Sequence, residues 1–401
     1  DKAIDVISSN GDTTTYWVSD KKGTWTRVDG GKGIGASFSK DKVRLIDMNG
    51  DGVSDAVQIY EGTMRYKKYY GYGAWSSWIT VSVPGLTKSH ADKAQFADIN
   101  GDGLSDMVVF LGTSIMYFVN RNGLSFNKGQ SLQTFQGIDI PDSTQNSIRI
   151  ADLNGNGSRD IVWISPSGKI VYLELFALRP NLLTSISNGI GQRIEVTYGS
   201  SVYHRLRDEA LGNPWKSKLP TPFTVVNQIK TWAETDGSRK PRPRIQNIYY
   251  HHGYYDGKEK KFRGFRHVEN VLEGDDSIDK RLDEIFYNVG DTDSYFHGKL
   301  LRRLITDGKG KVFNDMSISW DDCGTPSGTA KGLDPPVRFI CMKAEERVIK
   351  EGLTETSRWK TTRREKAYDG YGNVTIDNQL GEKDKAGDEK YTRITYITPK
   401  D

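Results

Sequence analysis

The sequence lacks long hydrophobic runs, an excess of one charge and abundant cysteine. No segment approaches the roughly 20 apolar residues of a transmembrane helix, so direct membrane insertion is not expected. The 401 residues include 56 basic and 52 acidic residues, a formal net charge of +4, without a long run of one sign. This balance does not favour nucleic acid as a partner. The two cysteines, Cys323 and Cys341, either close a loop as a disulfide or are two separate thiols.

The common motifs of hydrolases, zinc proteases and nucleotide-binding proteins are also missing. The sequence has no Gly-x-Ser-x-Gly, no His-Glu-x-x-His and no Gly-x-x-x-x-Gly-Lys-Ser/Thr. His251 and His252 are adjacent in a Tyr-rich segment. Strand alternation would send them to opposite faces of a sheet, so they are not expected to share a metal ion. The sequence therefore predicts a protein that is not an enzyme.

Glycine and aromatic residues are plentiful. The 42 Gly, 20 Tyr and 9 Trp residues, with modest aliphatic content, favour many short strands joined by tight turns. The length predicts two or three domains at about 100–200 residues each. An all-β protein of several domains is expected.

A nine-residue motif recurs three times, beginning at Asp47, Asp98 and Asp152, with starts 51 and 54 residues apart. The first copy reads Asp47-Met-Asn-Gly-Asp-Gly-Val-Ser-Asp55, and a short apolar strand follows each copy. Such a period fits a four-stranded propeller blade. In the first full repeat, strands are predicted at Ala56–Tyr60, Met64–Tyr69 and Trp75–Val83. Asp5 matches the last position of the motif, which predicts that the chain begins within a repeat.

The motif places oxygen atoms at the spacing of a calcium loop. Side chains at positions 1, 3, 5 and 9, with the backbone carbonyl of position 7, can surround Ca²⁺, and glycines at positions 4 and 6 permit positive φ angles. An EF-hand is excluded because position 12 holds Gln58, Val109 or Trp163 instead of Glu. The predicted ligands are Asp47, Asn49, Asp51, Val53 and Asp55; Asp98, Asn100, Asp102, Leu104 and Asp106; and Asp152, Asn154, Asn156, Ser158 and Asp160.

A second interpretation of these loops needs no metal. Asp and Asn side chains also accept hydrogen bonds from their own backbone in Asx turns. Calcium is expected in the first two loops. The third loop has Asn156 in place of an acid and Arg159 beside it, which lowers its negative charge and makes calcium less favourable there.

The repeat unit resembles FG-GAP/VCBS repeats of β-propellers. Three further segments follow in order, 179–201, 219–226 and 254–269, and together they resemble the middle region of the insecticidal toxin complex B component. The Salmonella virulence plasmid B protein shares this region. Near the C-terminus, Tyr368-Asp-Gly-Tyr-Gly-Asn-Val-Thr375 resembles a YD (Rhs-type) repeat.

The resemblance implies an all-β fold. FG-GAP/VCBS-type blades of a partial or complete β-propeller (1–176) would precede a β-rich middle region (177–320). Its C-terminal part (321–401) would lead into a YD/Rhs-type β-shell.

The resemblance also implies a non-catalytic assembly component of a secreted toxin complex. Its propeller would close a shell around a toxic effector, and its partners would be the effector-carrying C component and the pore-forming A component. The alternative is a calcium-stabilised adhesion or glycan-binding propeller of a secreted or surface protein.

Overall fold

The structure is a computed structural model that describes residues 5–11, 13–20, 22–177, 179–232, 242–275, 278–330, 332–333 and 336–397. It is an all-β protein, as predicted, and divides into two compact units, residues 1–182 and 183–401. No helix in these ranges has the length and apolar character needed to cross a membrane. The strands are arranged differently in the two units.

The first unit consists of short sheets in which all strand pairs but one, Ile79–Ser82 with Ser125–Phe126, are antiparallel among the described residues. Its strands are β1 Val6–Ser9, β2 Thr13–Ser19, β3 Trp25–Lys32, β4 Arg44–Ile46, β5 Asp55–Tyr60, β6 Thr63–Lys67, β7 Tyr69–Gly71, β8 Ala74–Trp75, β9 Ile79–Ser82, β10 Ala94–Ala97, β11 Asp106–Phe110, β12 Ile115–Phe118, β13 Asn120–Arg121, β14 Ser125–Phe126, β15 Gln130–Leu132, β16 Thr134–Phe135, β17 Ile138–Asp139, β18 Ser147–Ala151, β19 Asp160–Ile164 and β20 Ile170–Leu173. One short helix, α1 Lys88–Lys93, precedes β10.

Four sheets correspond to the repeats. Strands β1–β3 form the first, and the second contains β4, β5, β6 and β9, which β14 extends with β13. The third contains β10, β11, β12 and β15, and the fourth contains β18–β20. The predicted strand at 75–83 is divided, because a turn with positive φ at Gly71, Tyr72 and Gly73 pairs β7 with β8 and separates them from β9.

These sheets pack face to face. Strand β11 is buried along its whole length. Met107 and Val109 pack into a core with Val57 and Met64 of the preceding sheet. Val108 and Phe110 pack with Trp163 and others of the following sheet. Since successive side chains of a strand point to opposite faces, this middle strand joins two cores, which is the packing of neighbouring propeller blades.

The second unit is one antiparallel sheet of twelve strands, each hydrogen-bonded to the next in chain order. Its strands are β21 Ser185–Ser187, β22 Arg193–Ser200, β23 Thr224–Trp232, β24 Arg244–Asp256, β25 Lys261–Leu272, β26 Arg281–Tyr287, β27 Leu300–Asp307, β28 Val312–Asp322, β29 Ile340–Ile349, β30 Lys360–Tyr368, β31 Val374–Glu382 and β32 Lys390–Arg393. Helix α2, Ser201–Ala210, leaves β22 and packs on β24. Strand β28 continues across residue 320, where the family resemblance implied a boundary.

Two turns of this sheet were singled out in the sequence. Cys323 and Cys341 form a disulfide with a Cα–Cα distance of 5.9 Å, which ties the end of β28 to β29. The YD segment makes the hairpin between β30 and β31. There the Asp369 carboxylate accepts hydrogen bonds from the amides of Tyr371 and Asn373, both at 2.9 Å. The Asp therefore fixes the turn that the motif predicts.

Candidate metal-binding loops

Each predicted calcium loop joins the first and second strands of a repeat sheet. The loops are residues 47–55 between β4 and β5, 98–106 between β10 and β11, and 152–160 between β18 and β19. The glycines at positions 4 and 6 have positive φ in every copy, from 74° at Gly155 to 96° at Gly157. A side chain resists this conformation, which explains why both positions are glycine.

The side chains at positions 1, 3 and 5 bind the loop's own backbone. In the first loop, the Asp47 carboxylate accepts hydrogen bonds from the amides of Gly50 (2.8 Å) and Gly52 (2.9 Å). The Asn49 side-chain oxygen accepts one from the Asp51 amide (3.0 Å), and Asp51 accepts one from Val53 (2.9 Å).

The other two loops repeat this geometry. Their hydrogen bonds join Gly101 and Gly103 to Asp98, Asp102 to Asn100, Leu104 to Asp102, Gly155 and Gly157 to Asp152, Asn156 to Asn154, and Ser158 to Asn156. All three loops therefore contain the Asx turns of the second interpretation, and each oxygen retains further lone pairs.

The aspartate at position 9 lies beneath each loop. Asp55, Asp106 and Asp160 are fully buried. Each accepts a hydrogen bond from the amide of position 2, at 3.1, 3.2 and 2.8 Å respectively. The second oxygen accepts from an amide fourteen residues later in the first two loops, that of Tyr69 (3.3 Å) and that of Asn120 (2.8 Å). Asp55 and Asp106 thus connect their loops to the segments that follow β6 and β12.

The third loop differs at this point. Among the described residues, no hydrogen-bond partner reaches Asp160 Oδ1, which is buried. Glu174, which occupies the place of Tyr69 and Asn120, instead accepts hydrogen bonds from the side chains of Asn154 (2.6 Å) and Asn156. The sequence analysis missed Glu174, although the constant spacing of fourteen residues from position 9 was a usable signal. Glu174 supplies the third loop with the acid that Asn156 lacks.

Burial, with a further contribution from neighbouring carboxylates, raises the pKa of the aspartate at position 9 in each loop. Burial raises the pKa of Asp106 to about 7, and the charges of Asp102 and Asp98 add to this effect. Burial likewise raises the pKa of Asp55 to about 6, with further contributions from Asp51 and Asp47. Backbone hydrogen bonds oppose these shifts only in part. A cation would relieve the repulsion between the carboxylates.

The loops lie side by side along one edge of the first unit. A Cβ atom on Gly50 would lie 3.0 Å from Leu104 Cδ2 of the second loop, and one on Gly101 would lie 2.8 Å from the Gly157 carbonyl oxygen of the third. The Asn120 side chain also donates a hydrogen bond of 2.9 Å to the Met48 carbonyl. Adjacent loops therefore contact each other directly.

The donor set suits a hard cation, because each loop offers carboxylate, amide and carbonyl oxygens. Within the described ranges, however, no three acid or histidine ligand atoms of these loops lie within 4.8 Å of one another. Binding would require the position 1, 3 and 5 side chains to share their oxygens between the backbone amides and the ion. Asp160 Oδ1, which is buried without a hydrogen-bond partner among the described residues, is one oxygen that could coordinate an ion without giving up a hydrogen bond.

Comparison with known proteins bears out the resemblances to the toxin complex B component and to FG-GAP repeats. Residues 121–290 match the family described as the insecticide toxin TcdB middle/N-terminal region, and residues 47–109 match the FG-GAP-like repeat. No curated protein matches the chain.

Several solved structures share the fold. A chain of the Photorhabdus luminescens Tc holotoxin pore matches 94% of this chain and 20% of its own length, with a TM-score of 0.79 and 16% identity. A chain of the crystal structure of TcdB2-TccC3 matches 93% of this chain and 21% of its own length, with a TM-score of 0.73 and 17% identity. The present chain thus spans about a fifth of the length of these chains.

Proposed function

We propose that this chain, whose residues 121–290 match the TcdB middle/N-terminal region, is part of the B component of a secreted bacterial toxin complex. Its role is structural and not catalytic. The observation that carries the proposal is a shared fold over 94% of the chain, with a TM-score of 0.79, with part of a Tc holotoxin pore. The match to the family description supports the same conclusion independently of the coordinates.

The two units have separate roles in this proposal. The second unit is a length of shell wall, because a sheet in which every strand pairs with the next in sequence can be extended by adding strands at its edges. The first unit contributes blades to a propeller that closes the shell and contacts the pore-forming A component. The effector-carrying C component completes the shell, in analogy with the TcdB2-TccC3 structures.

The proposal is tested on the complete polypeptide that contains this sequence. It is expressed with and without the effector-carrying subunit of the same organism, and the products are examined by size-exclusion chromatography and electron microscopy. We expect a stable complex with a hollow interior. The effector-carrying subunit expressed alone is the control.

Two outcomes would contradict this function. One is a polypeptide that remains separate from the effector-carrying subunit and encloses no cavity. The other is specific glycan binding by the polypeptide without assembly, which would support the adhesion alternative.

We further propose that Ca²⁺ binds the three loops. The acids at positions 1, 5 and 9 of the first two loops and the repulsion of Asp55 and Asp106 by neighbouring carboxylates support this assignment. In the third loop, the support comes from Glu174 and from Asp160 Oδ1, which has no hydrogen-bond partner among the described residues. Calcium would supply a positive charge at each loop. The chain's own residues would hold the loops next to one another, so that bound ions stiffen the contacts between blades.

Calcium binding is measured by thermal unfolding in excess Ca²⁺ and in excess chelator. A ligand that binds only the folded state stabilises it by about 2.7 kcal/mol at one hundred times its Kd. Asp98→Asn should reduce the calcium-dependent shift. Asp142→Asn is the matched control, since Asp142 also caps a turn of the first unit, by accepting from the Thr144 amide, but lies outside the loops. Equal melting temperatures of the original chain in calcium and in chelator would refute the assignment.

A further inference from the structure

A histidine cluster lies in the second unit, on strands β24 and β25. His251 of β24 and His267 of β25 are directly opposite each other in the sheet register. Their rings stack with centroids 4.6 Å apart. Glu269 lies two residues beyond His267 and therefore on the same face. The adjacent residue His252 is not part of this group, in line with the alternation argument, and the partner of His251 comes from the neighbouring strand.

The ligand atoms of His251, His267 and Glu269 all lie within 4.8 Å of one another. His251 Nε2 is 3.5 Å from Glu269 Oε1. In a tetrahedral zinc site with bonds of about 2.0–2.1 Å, neighbouring ligand atoms are separated by roughly 3.3 Å. The observed separations thus need only small side-chain movements to reach a metal-binding arrangement.

Asp208 of α2 orients the first of these ligands. Its carboxylate is 2.8 Å from His251 Nδ1, so Nδ1–H can donate to Asp208 while Nε2 faces Glu269, where a bound cation would take the place of the proton that the carboxylate favours there. Asp208 is itself buried and accepts hydrogen bonds from Trp215 Nε1 (2.6 Å) and Arg207 (2.8 Å). A carboxylate on the far nitrogen of a histidine is the usual outer support of a metal ligand.

The second histidine has an unused nitrogen. His267 Nε2 is buried and has no hydrogen-bond partner in the described part of the chain, although Glu284 Oε1 lies 3.3 Å away. The ring is held flat against Phe286, with centroids 4.3 Å apart and planes 5° from parallel. A buried polar atom without a partner is costly, and a metal ion beside it would remove that cost.

The charges around the cluster favour a cation. The carboxylates of Asp208, Glu269 and Glu284 surround the two rings, opposed by the guanidinium groups of Arg207 and, near Glu284, of Arg302. Arg207 lies at similar distances from both nitrogens of His251, 3.4 and 3.3 Å. It is within hydrogen-bonding distance of both nitrogens and favours neither by distance. It is also already paired with Asp208 and lies over the Tyr249 ring.

We propose that His251, His267 and Glu269 bind one divalent transition-metal ion of the zinc class, with Asp208 positioning His251. Two imidazoles and a carboxylate are typical zinc ligands, whereas calcium prefers oxygen alone. The fourth ligand is water or Glu284. The ion joins β24 to β25 beneath α2 and so fastens the helix region of the sheet.

The experiment uses the whole chain without a polyhistidine tag, stripped of metal by chelation and dialysis. Co²⁺ is titrated in the presence of excess Ca²⁺, which occupies the oxygen loops, and the visible absorption of tetrahedral cobalt is recorded. We expect one equivalent of Co²⁺ to give this absorption and one equivalent of Zn²⁺ to abolish it. Absence of the tetrahedral spectrum from the original chain would overturn the proposal.

Variants locate the site. His267→Gln should remove the spectrum and the zinc-induced rise in melting temperature, and His267→Phe, which keeps the stacking on Phe286, should do the same. His90→Gln, in α1 of the first unit, is the matched control and should bind like the original chain. Asp208→Asn should retain the spectrum but weaken affinity by about 10–100-fold. An unchanged spectrum in both folded His267 variants would overturn the proposal.

Discussion

The two units achieve stability in different ways. In residues 1–182, sheets stack on one another and share apolar cores, so a strand such as β11 is buried on both faces. In residues 183–401, the strands lie side by side in one continuous sheet, and most of their side chains are only partly buried. Stacking concentrates stability in a few large side chains, whereas a single sheet distributes it along its hydrogen-bonded edges.

Ion pairs follow the same division. Arg302 with Asp315, Arg303 with Asp283, and Arg364 with Asp377 link residues of neighbouring strands in the second unit. Such pairs suit a surface that remains wet, because long charged side chains cover apolar area while their ends stay in water. The comparison indicates that the first unit is sensitive to cavities and the second to loss of cross-strand links.

The largest effect should come from a cavity between blades. Phe118 is fully buried, and Phe118→Ala is expected to destabilise the first unit by about 3–5 kcal/mol. Phe313 in β28 is 41% exposed, and Phe313→Ala should cost much less. Hydrogen exchange of each unit separates the two effects, since a two-unit chain need not unfold in one step. Equal losses would show that the units do not differ in this way.

The disulfide should be the main single link of the second unit. Replacing both Cys323 and Cys341 with Ser is expected to cost that unit about 3 kcal/mol, the loop-entropy value for a loop of this length. Slow hydrogen exchange in the first unit should be unaffected. Reduction of the original chain is the control, and it should reproduce the loss, whereas the double variant should not respond to reductant. A loss of stability in both units would contradict the prediction that the disulfide stabilises the second unit alone.

Disrupting the contact between adjacent loops should lower the stability of the first unit by a smaller amount. Gly101 and Gly103 both have positive φ, but a Cβ on Gly101 would lie 2.8 Å from the Gly157 carbonyl, whereas one on Gly103 would meet nothing within 4 Å. Both Ala variants incur the same kind of backbone strain. Gly101→Ala should therefore be less stable than Gly103→Ala by about 2 kcal/mol, measured by thermal unfolding. Equal melting temperatures would mean that the loops do not support each other.

The sequence predicted local features better than pairing between distant strands. The acidic motifs located three loops and the strands after them, because glycine conformation and apolar runs act within a few residues. The opposition of His251 and His267 was not predictable in this way, since it depends on the register between β24 and β25. Glu174 was missed for a related reason: it reaches the third loop from the end of β20, through a spacing that only the aligned repeats make visible.

Local sequence patterns also did not predict that the sheet of the second unit is continuous. The family resemblance implied a boundary after residue 320, but β28 and β29 pair across the Gly- and Pro-containing segment that follows, and the disulfide joins them. A loop composition signals a turn of the chain and does not reveal whether the sheet continues on its other side. Pairing of this kind is decided by tertiary contacts.

The smallest effect concerns a single cross-strand ion pair and its dependence on pH. Arg302 donates two hydrogen bonds of 2.8 Å to Asp315, and these hydrogen bonds hold the pKa of Asp315 below its usual value. Asp315→Asn should cost about 1 kcal/mol at neutral pH, because the arginine is half exposed and solvent screens the pair.

A lowered folded-state pKa stabilises the protein above the unfolded pKa of about 3.9 and loses that contribution as pH falls through the folded value. The difference between the original chain and Asp315→Asn should thus be constant from about pH 5 upward and shrink in stronger acid. Glu195→Gln, which removes the more exposed pair with Arg193, is the control and should change stability little. Urea unfolding of the second unit across this pH range measures both variants. A difference that does not depend on pH would show that Asp315 acts through packing and not through its charge. The Arg302–Asp315 ion pair would then not contribute to the stability of the single sheet.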